Sequence, residues 1–497
     1  MKTWDYSQEF YHASFFCSMF FLVTREEKHG WKQVMFSVDS NEVMSLYFSS
    51  GRLRIYRGWD LLFQPKKRRS GTMKNTIAII MAGGKGERLM PLTRDRSKPA
   101  IPFGGIYLLI DLTLSNCINS GIYRIIVLPQ YKSQTLMQHL EGGWNIFSPA
   151  LRHYLKIAPP QMMEGEKWYQ GTADSIRQNA YLLKQDLPEH VLILSGDHVY
   201  KMDYTRFKEY HEAHHADVTI AVIELGKEVA GQYGVLEVDD TFNVRAFQEK
   251  PKDPKTIPGD KNRVLASMGI YIFKADVLLD LLKQNDLVDF GKDILPGMLK
   301  THRVMAYPFR RENKILDVTV SVDKDGMLHE NPLQPVRDSG YWRDVGTLDS
   351  YWNANMDLTG VDPYFNMYGR HWPIRTYQRQ YPPVKTVFAQ ESVGNDARAG
   401  RALDSLVAHG SIISGGLVLN SVLSYNVFVQ SWAKVEESVV MENVVIGRHA
   451  KIKKAIIGEG VQIPPSFKVG YHPREDRKRF KVTPRGITVV TKEDFPR

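Results

Sequence analysis

The sequence predicts an α/β protein: a mostly parallel, Rossmann-like sheet followed by a C-terminal parallel β-helix. Between Lys74 and about Thr359, short apolar runs alternate with helical patterns, the arrangement of a parallel sheet covered on both faces. The first run ends in a glycine-rich turn at the position where open α/β sheets bind ligands. Beyond Val393, aliphatic residues recur about every six positions, at Ile412, Val418, Val440, Ile446, Ile452, Ile457 and Ile463. Such a period describes stacked coils that bury a column of side chains.

Taken in order, residues 1–72 mix aromatics with polar residues and a basic run, Lys66-Lys67-Arg68-Arg69, without a sustained two-residue or 3.6-residue period. They are expected to be a poorly ordered extension or a start-site artefact, because Met73 opens the patterned part. Asp5 and Glu9 precede the short apolar stretch 15–23, which argues against a secretory signal. Residues 77–81 are expected to form a buried strand leading into Gly83, Gly84 and Gly86, then Arg88 and Lys98. Glycines let backbone N–H groups close around an anion. The spacing is neither G-x-G-x-x-G nor a P-loop, so the turn alone is equally a plain structural turn. Further central strands are expected at 125–129, 191–195 and 218–223, with helices at 110–121 and 203–215. The glycine loop and Ser195-Gly196-Asp197 then share one rim, since each directly follows a strand. The irregular, charged stretch 307–339 reads as a surface insertion. Four segments result: the extension 1–72, an α/β domain 73–360, a Pro- and Tyr-rich linker 361–393, and the β-helix 394–497.

A chain of 497 residues needs more than one core. No apolar run approaches the roughly 20 residues of a membrane helix, so no membrane partner is expected. Cys17 and Cys117 give neither a disulfide framework nor metal-ligand spacing, and a reducing cytoplasm follows. The net charge is +10, of which residues 1–72 contribute four, with 11 Lys/Arg against 7 Asp/Glu. The mild remainder suits polyphosphate ligands, and no nucleic-acid partner is expected.

The residues Gly83-Gly84-x-Gly86-x-Arg88-Leu89 with Lys98-Pro99-Ala100 resemble the signature of the sugar-nucleotide pyrophosphorylases. Within these sugar nucleotidyltransferases, the bacterial glucose-1-phosphate adenylyltransferases are the most similar. The likeness runs through Ile110-Asp111, Gln130-Tyr131, Trp168-Tyr169 with Gly171-Thr172-Ala173-Asp174, and Gly196-Asp197-His198. It continues through Glu249-Lys250-Pro251, Ala266-Ser267-Met268-Gly269, Phe290-Gly291-Lys292-Asp293 and Tyr341 to Thr347. The resemblance implies a nucleotidyltransferase-type sheet, a left-handed β-helix, and ADP-glucose and pyrophosphate made from ATP and glucose 1-phosphate. It also implies a homotetramer.

Nucleotidyl transfer needs two anions held in line and their charge neutralised. Lys98 and Arg88 are the expected triphosphate cations, with Gly83, Gly84, Gly86, Gln130, Gly171 and Thr172 around the nucleotide. Asp197 and, by resemblance, Asp344 are the expected ligands of a Mg2+ ion. By resemblance the sugar phosphate falls to Tyr169, Gly234, Glu249, Lys250 and Ser267. Tyr169 and Trp168 also admit a reading as core aromatics, and Gln130 as a loop cap. Two positions depart from the family: Leu108 stands where arginine is usual, and Asp95 where some relatives carry lysine. Losing a cation and gaining a carboxylate predicts altered or feeble activation by anionic sugar phosphates. Alternatives are a uridylyl- or guanylyltransferase, a non-catalytic regulatory subunit, and, remotely, an acyltransferase using His409 or His449.

Overall fold

The computed structural model describes residues 73–161, 168–318, 320–331, 334–390 and 398–495, together with four strands before them. Two compact units are present, Met1–Gly71 and Thr72–Arg497. In the first, strands Phe21–Leu22, Lys32–Asp39, Glu42–Ser49 and Arg52–Arg57 pair antiparallel in sequence order. The sequence reading gave no strands here. The basic run 66–69 lies outside the described residues.

In the second unit a nine-stranded sheet comprises β1 Thr76–Ala82, β2 Arg124–Pro129, β3 Tyr154–Ile157, β4 His190–Ser195, β5 Val218–Gly226, β6 Gly234–Val238, β7 Val244–Glu249, β8 Arg263–Lys274 and β9 Val304–Pro308. Its order is β7-β6-β8-β4-β1-β2-β3, with β5 pairing both β8 and β9. The run β4, β1, β2, β3 is parallel, as the buried apolar runs predict. Successive residues of β1 enter different cores, Ala78 and Ile80 one, Ile77 and Ile79 the other. Both faces are therefore covered, and the strand needs no polar alternation. The long β8 enters antiparallel to β4 and carries β5 and β6, also antiparallel, so the sheet is mixed beyond its parallel run.

Helix α1, Leu109–Asn119, ends where Gly121 adopts φ +79°. Helix α2, Tyr204–Ala213, starts on Asp203, whose carboxylate accepts from Thr205 N at 3.0 Å. The charged stretch 307–339 holds two small antiparallel ladders, Leu316–Asp317 with Gln334–Pro335 and Val320–Val322 with Leu328–Glu330.

C-terminal to these, three sheets wind a β-helix, parallel throughout except that Lys481–Val482 joins Thr488–Val490 antiparallel. Its first strand, Lys385–Val387, pairs parallel with Ile412–Ser414, so coiling begins inside the segment expected to be linker. Pro382 and Pro383, which favoured a linker, stop just short of it. Val418, Val440, Ile446, Ile452, Ile457 and Ile463 fill the column as expected. Ile412 does not: it is 37% exposed, and its neighbour Ile413 is buried. The corners turn on positive-φ residues stacked in columns, among them Gly415, Trp432, His449 and Ser466, and Asn420, Glu437 and Lys454. Inside, the hydroxyls of Ser421 and Ser438 each accept from a backbone N–H of the next coil, at 3.1 and 3.2 Å. His449 is a corner residue stacked on Trp432 with ring centroids 4.9 Å apart. The α/β part docks through helix Leu348–Met356, whose Leu348 and Tyr351 share a core with Val439, Ile456 and Val489.

Candidate active site

The strand ends gather the expected loops. β1 leads into the glycine turn, and Gly196 N donates to Met81 O at 3.1 Å, tying the loop after β4 to the end of β1. Gly86 holds φ +66°, and a Cβ there would lie 2.8 Å from Thr93 Cγ2 and 3.3 Å from Lys98 Cβ. Thr93 Oγ1 donates to Gly86 O at 2.9 Å, closing the loop over the short helix Lys98–Ala100. Gly83 lies against Gln130, where a Cβ would stand 3.1 Å from Gln130 Cβ. Beside Gly84 the space is open.

Lys98 is the centre of this half. Its Nζ lies 2.7 Å from Asp197 Oδ2 and 2.9 Å from Asp344 Oδ1. Asp344 reaches the rim because Trp342–Asp344 pairs antiparallel with His198–Tyr200, placing Asp344 opposite His198. Burial disfavours the Lys98 ammonium, yet the two carboxylates raise it above its ordinary value. Burial likewise opposes the Asp197 carboxylate. Lys98, His198 and the Ser195 hydroxyl outweigh it and hold the carboxyl well below the usual range. His198 Nε2 stands 3.6 Å from Asp197 and 3.9 Å from Asp344. Arg88 Nη1 donates to Gln232 Oε1 at 3.4 Å, and a Cβ on Gly346 would meet the Arg88 guanidinium at 2.9 Å and the Asp344 carboxylate at 3.1 Å. Two carboxylates converging on one cation are a hard oxygen donor set that fits a divalent ion completed by water and phosphate oxygens. Among the described residues no group of three or more His, Cys, Asp or Glu is placed to hold a metal.

A second half lies on β6, β7 and β8. Gly234 pairs with Glu249, and Cβ atoms on Gly234 and Gly291 would meet Glu249 Oε2 at 3.1 and 2.7 Å, so both glycines admit its carboxylate. Ser267 Oγ faces the Tyr271 hydroxyl at 3.4 Å; burial, with Glu249 and Asp289 nearby, pushes that phenol up to about 12. Thr172 joins this half: its hydroxyl donates to Asp289 Oδ2 at 3.1 Å and accepts from Phe290 N at 3.0 Å. Gly171 is required by contact, since a Cβ would lie 2.6 Å from Val288 O. The halves meet at Tyr233, whose carbonyl accepts from Lys250 N at 3.0 Å. Burial, then the Asp344 charge, pushes the Tyr233 phenol up to about 12.

Two expected residues sit differently from the rest. The Tyr169 hydroxyl donates to Ala158 O at 3.1 Å and accepts from Asn179 Nδ2 at 2.8 Å, the buried network of a core aromatic. Its carbonyl accepts from Gln130 Nε2 at 3.2 Å, so Gln130 braces this loop as well as Gly83. Lys250 is largely exposed, has φ +50°, and lies 3.1 Å from Glu249 Oε1. Sequence reasoning gave no role to His198, Gln232, Tyr233, Tyr271 or Asp289. Of these, only His198 stood in a quoted motif.

Residues 77–360 match the nucleotidyl transferase family, and residues 382–490 the GlmU-like C-terminal hexapeptide, which makes the β-helix the left-handed kind. A glucose-1-phosphate adenylyltransferase of Dechloromonas aromatica is 46% identical over 84% of this chain and 91% of its own length. Another from Koribacter versatilis is 45% identical over 85% of this chain and 96% of its own. A third, from Paramagnetospirillum magneticum, is 47% identical over 85% and 94%. The lysine-bridged carboxylates at the strand rim, the hexapeptide coils and this near full-length likeness place the chain in the nucleotidyl transferase family, as a member of the glucose-1-phosphate adenylyltransferases.

Proposed function

We propose that the chain transfers the adenylyl group of ATP to α-D-glucose 1-phosphate, giving ADP-glucose and pyrophosphate, the first committed step of glycogen (α-1,4-glucan) biosynthesis. The observation that carries this reading is the single ammonium of Lys98 held between Asp197 and Asp344. The relatives' name supplies the nucleotide and the sugar.

A phosphate oxygen of the sugar phosphate attacks the α-phosphorus of ATP; one P–O bond forms as the bond to pyrophosphate breaks. Positioning and charge neutralisation suffice, without a covalent nucleophile. The backbone at Gly83, Gly84 and Gly86 cradles the triphosphate, Arg88 and Lys98 neutralise it, and Gln130 faces the base. Thr172, on the loop Gly171 admits, borders the nucleotide from the Glu249 half, where Asp289 accepts from its hydroxyl. Glu249 accepts from sugar hydroxyls, Ser267 donates or accepts, and Lys250 swings from Glu249 to the sugar phosphate as a mobile point charge. A divalent cation, Mg2+ in this reading, held by Asp197 and Asp344, supplies further neutralisation of phosphate charge.

The end faces of the coils favour association through the β-helix into a homotetramer acting in the cytoplasm. A solution mass other than four chains of 57.0 kDa removes the tetramer. The reaction is tested by pyrophosphate release with Mg2+ and glucose 1-phosphate, comparing ATP with UTP, GTP and dTTP. Release with ATP alone, abolished in Asp197→Asn, is expected. Preference for another nucleotide replaces the substrate, and no release with any of the four replaces the enzyme by a regulatory subunit.

A further inference from the structure

The ladder that brings Asp197 to Asp344 is clamped at its far end by a second lysine and a second aspartate. Residues His198, Val199 and Tyr200 lie opposite Asp344, Arg343 and Trp342. Immediately beyond Tyr200, Lys201 is 1% exposed, and its Nζ lies 2.7 Å from Asp338 Oδ2 and 2.5 Å from Asn366 O. Asp338, equally buried, leads through a single helical turn, Arg337–Gly340, into the strand that carries Asp344. Asn313 reinforces the clamp, its Nδ2 donating to Lys201 O at 2.8 Å and to Ser339 O at 2.7 Å.

We propose that Lys201, through its buried pair with Asp338, is a positioning residue that fixes the separation of Asp197 and Asp344 for a divalent cation. The inference rests on reading those two carboxylates as metal ligands. The two ends of the ladder differ in kind. Lys98 stands at the strand rim between carboxylates that are only partly buried, where a cation and a triphosphate can compete for them. Lys201 is enclosed with Asp338, away from the rim. Removing one partner leaves a buried charge without its counter-charge, and the segments it joins are free to shift. Groups that orient metal ligands without touching the metal typically change metal affinity about tenfold to a hundredfold.

The test uses Mn2+ as a paramagnetic probe, titrated onto the full chain without nucleotide, with thermal unfolding recorded in parallel. Lys201→Met with Asp338→Leu replaces the pair by apolar groups, the exchange best tolerated in a core. Lys201→Arg keeps the charge but moves it. Weaker Mn2+ binding, by about tenfold in the first variant and in the same direction in the second, is expected in the folded protein. Wild-type Mn2+ affinity in either folded variant overturns the positioning role. Asp197→Asn separates the two readings. If that substitution leaves Mn2+ binding unchanged, the metal assignment itself falls; if it abolishes binding while the Lys201 variants bind normally, only the clamp does.

Discussion

The Lys98 ammonium lies 2.7 Å from Asp197 and 2.9 Å from Asp344, two carboxylates brought together by strands far apart in the sequence. One cation thus offsets two anions in a site withdrawn from water, where charge interactions are strong. Lys98→Met is expected to lower the rate of pyrophosphate formation about 10²- to 10³-fold, as removal of a group stabilising the transition state does. Lys98→Arg, with a planar fork in place of a point charge, restores little of it. Steady-state kinetics on both variants check this, and wild-type turnover in Lys98→Met contradicts it.

A buried histidine weakens the fold toward acid pH. His211 is enclosed, its Nδ1 bonded to Thr219 Oγ1 at 2.9 Å and its ring edge-on to His190 at 5.2 Å. Burial, then the nearby His190 and Lys274, lowers it to about 3, against a weaker opposing pull from Asp217. The unfolded chain therefore binds a proton between about pH 6.5 and 3 that the folded chain refuses, and stability falls as pH falls through this window. The slope from one such group is about 1.4 kcal/mol per pH unit. Urea unfolding from pH 7 to pH 5 is expected to show a shallower loss for His211→Phe than for the wild type.

Gly86 is irreplaceable for two reasons, its positive φ and the approach of Thr93 and Lys98. Gly86→Ala adds a Cβ 2.8 Å from Thr93 Cγ2, so either the loop or the threonine moves. A destabilisation of about 1–2 kcal/mol is expected. KM for ATP rises more than KM for glucose 1-phosphate, because Lys98 shifts with the loop. Equal changes in both constants contradict the assignment of this loop to the nucleotide.

Anionic effectors are expected to stimulate the enzyme feebly. Leu108 offers no cation and Asp95 carries a carboxylate, and three arginines where the α/β part meets the β-helix are already paired. Arg94 pairs with Glu493 at 2.6 Å, Arg96 with Glu459, and Arg379 with Glu442. An effector must displace these carboxylates as well as bind. Assays with and without fructose 1,6-bisphosphate check this: strong stimulation of the wild type contradicts it, and Glu459→Gln is expected to gain sensitivity.

Local signals were the legible ones. An apolar run followed at once by glycines placed β1 and its loop, and Asp197 at a strand end was marked by the run before it. The hexapeptide period discloses the β-helix, but a period of six tolerates a slip of one residue, which is why it marks Ile412 where the column holds Ile413. Pairings between distant segments left no local trace. The antiparallel entry of β8, the strand that lifts Asp344 to His198, the Thr172 to Asp289 bond and the Lys201 clamp are properties of tertiary packing. Tyr169 shows the converse, a residue named by resemblance whose hydroxyl the fold turns inward.

The stacked corners of the β-helix carry a consequence for how this part of the molecule can change. Asn426 and Asn443, 17 residues apart, hydrogen-bond across neighbouring coils, as do Ser421 and Ser438. Deleting one residue within a strand would turn that strand's later outward side chains inward, whereas at a vertex the loss is absorbed: Arg401 pairs with Leu417, 16 residues on, and Leu417 with Lys434, 17 residues on. Small insertions survive only at the vertices, and an engineer grafting coils must cut at equivalent vertices to preserve the prism.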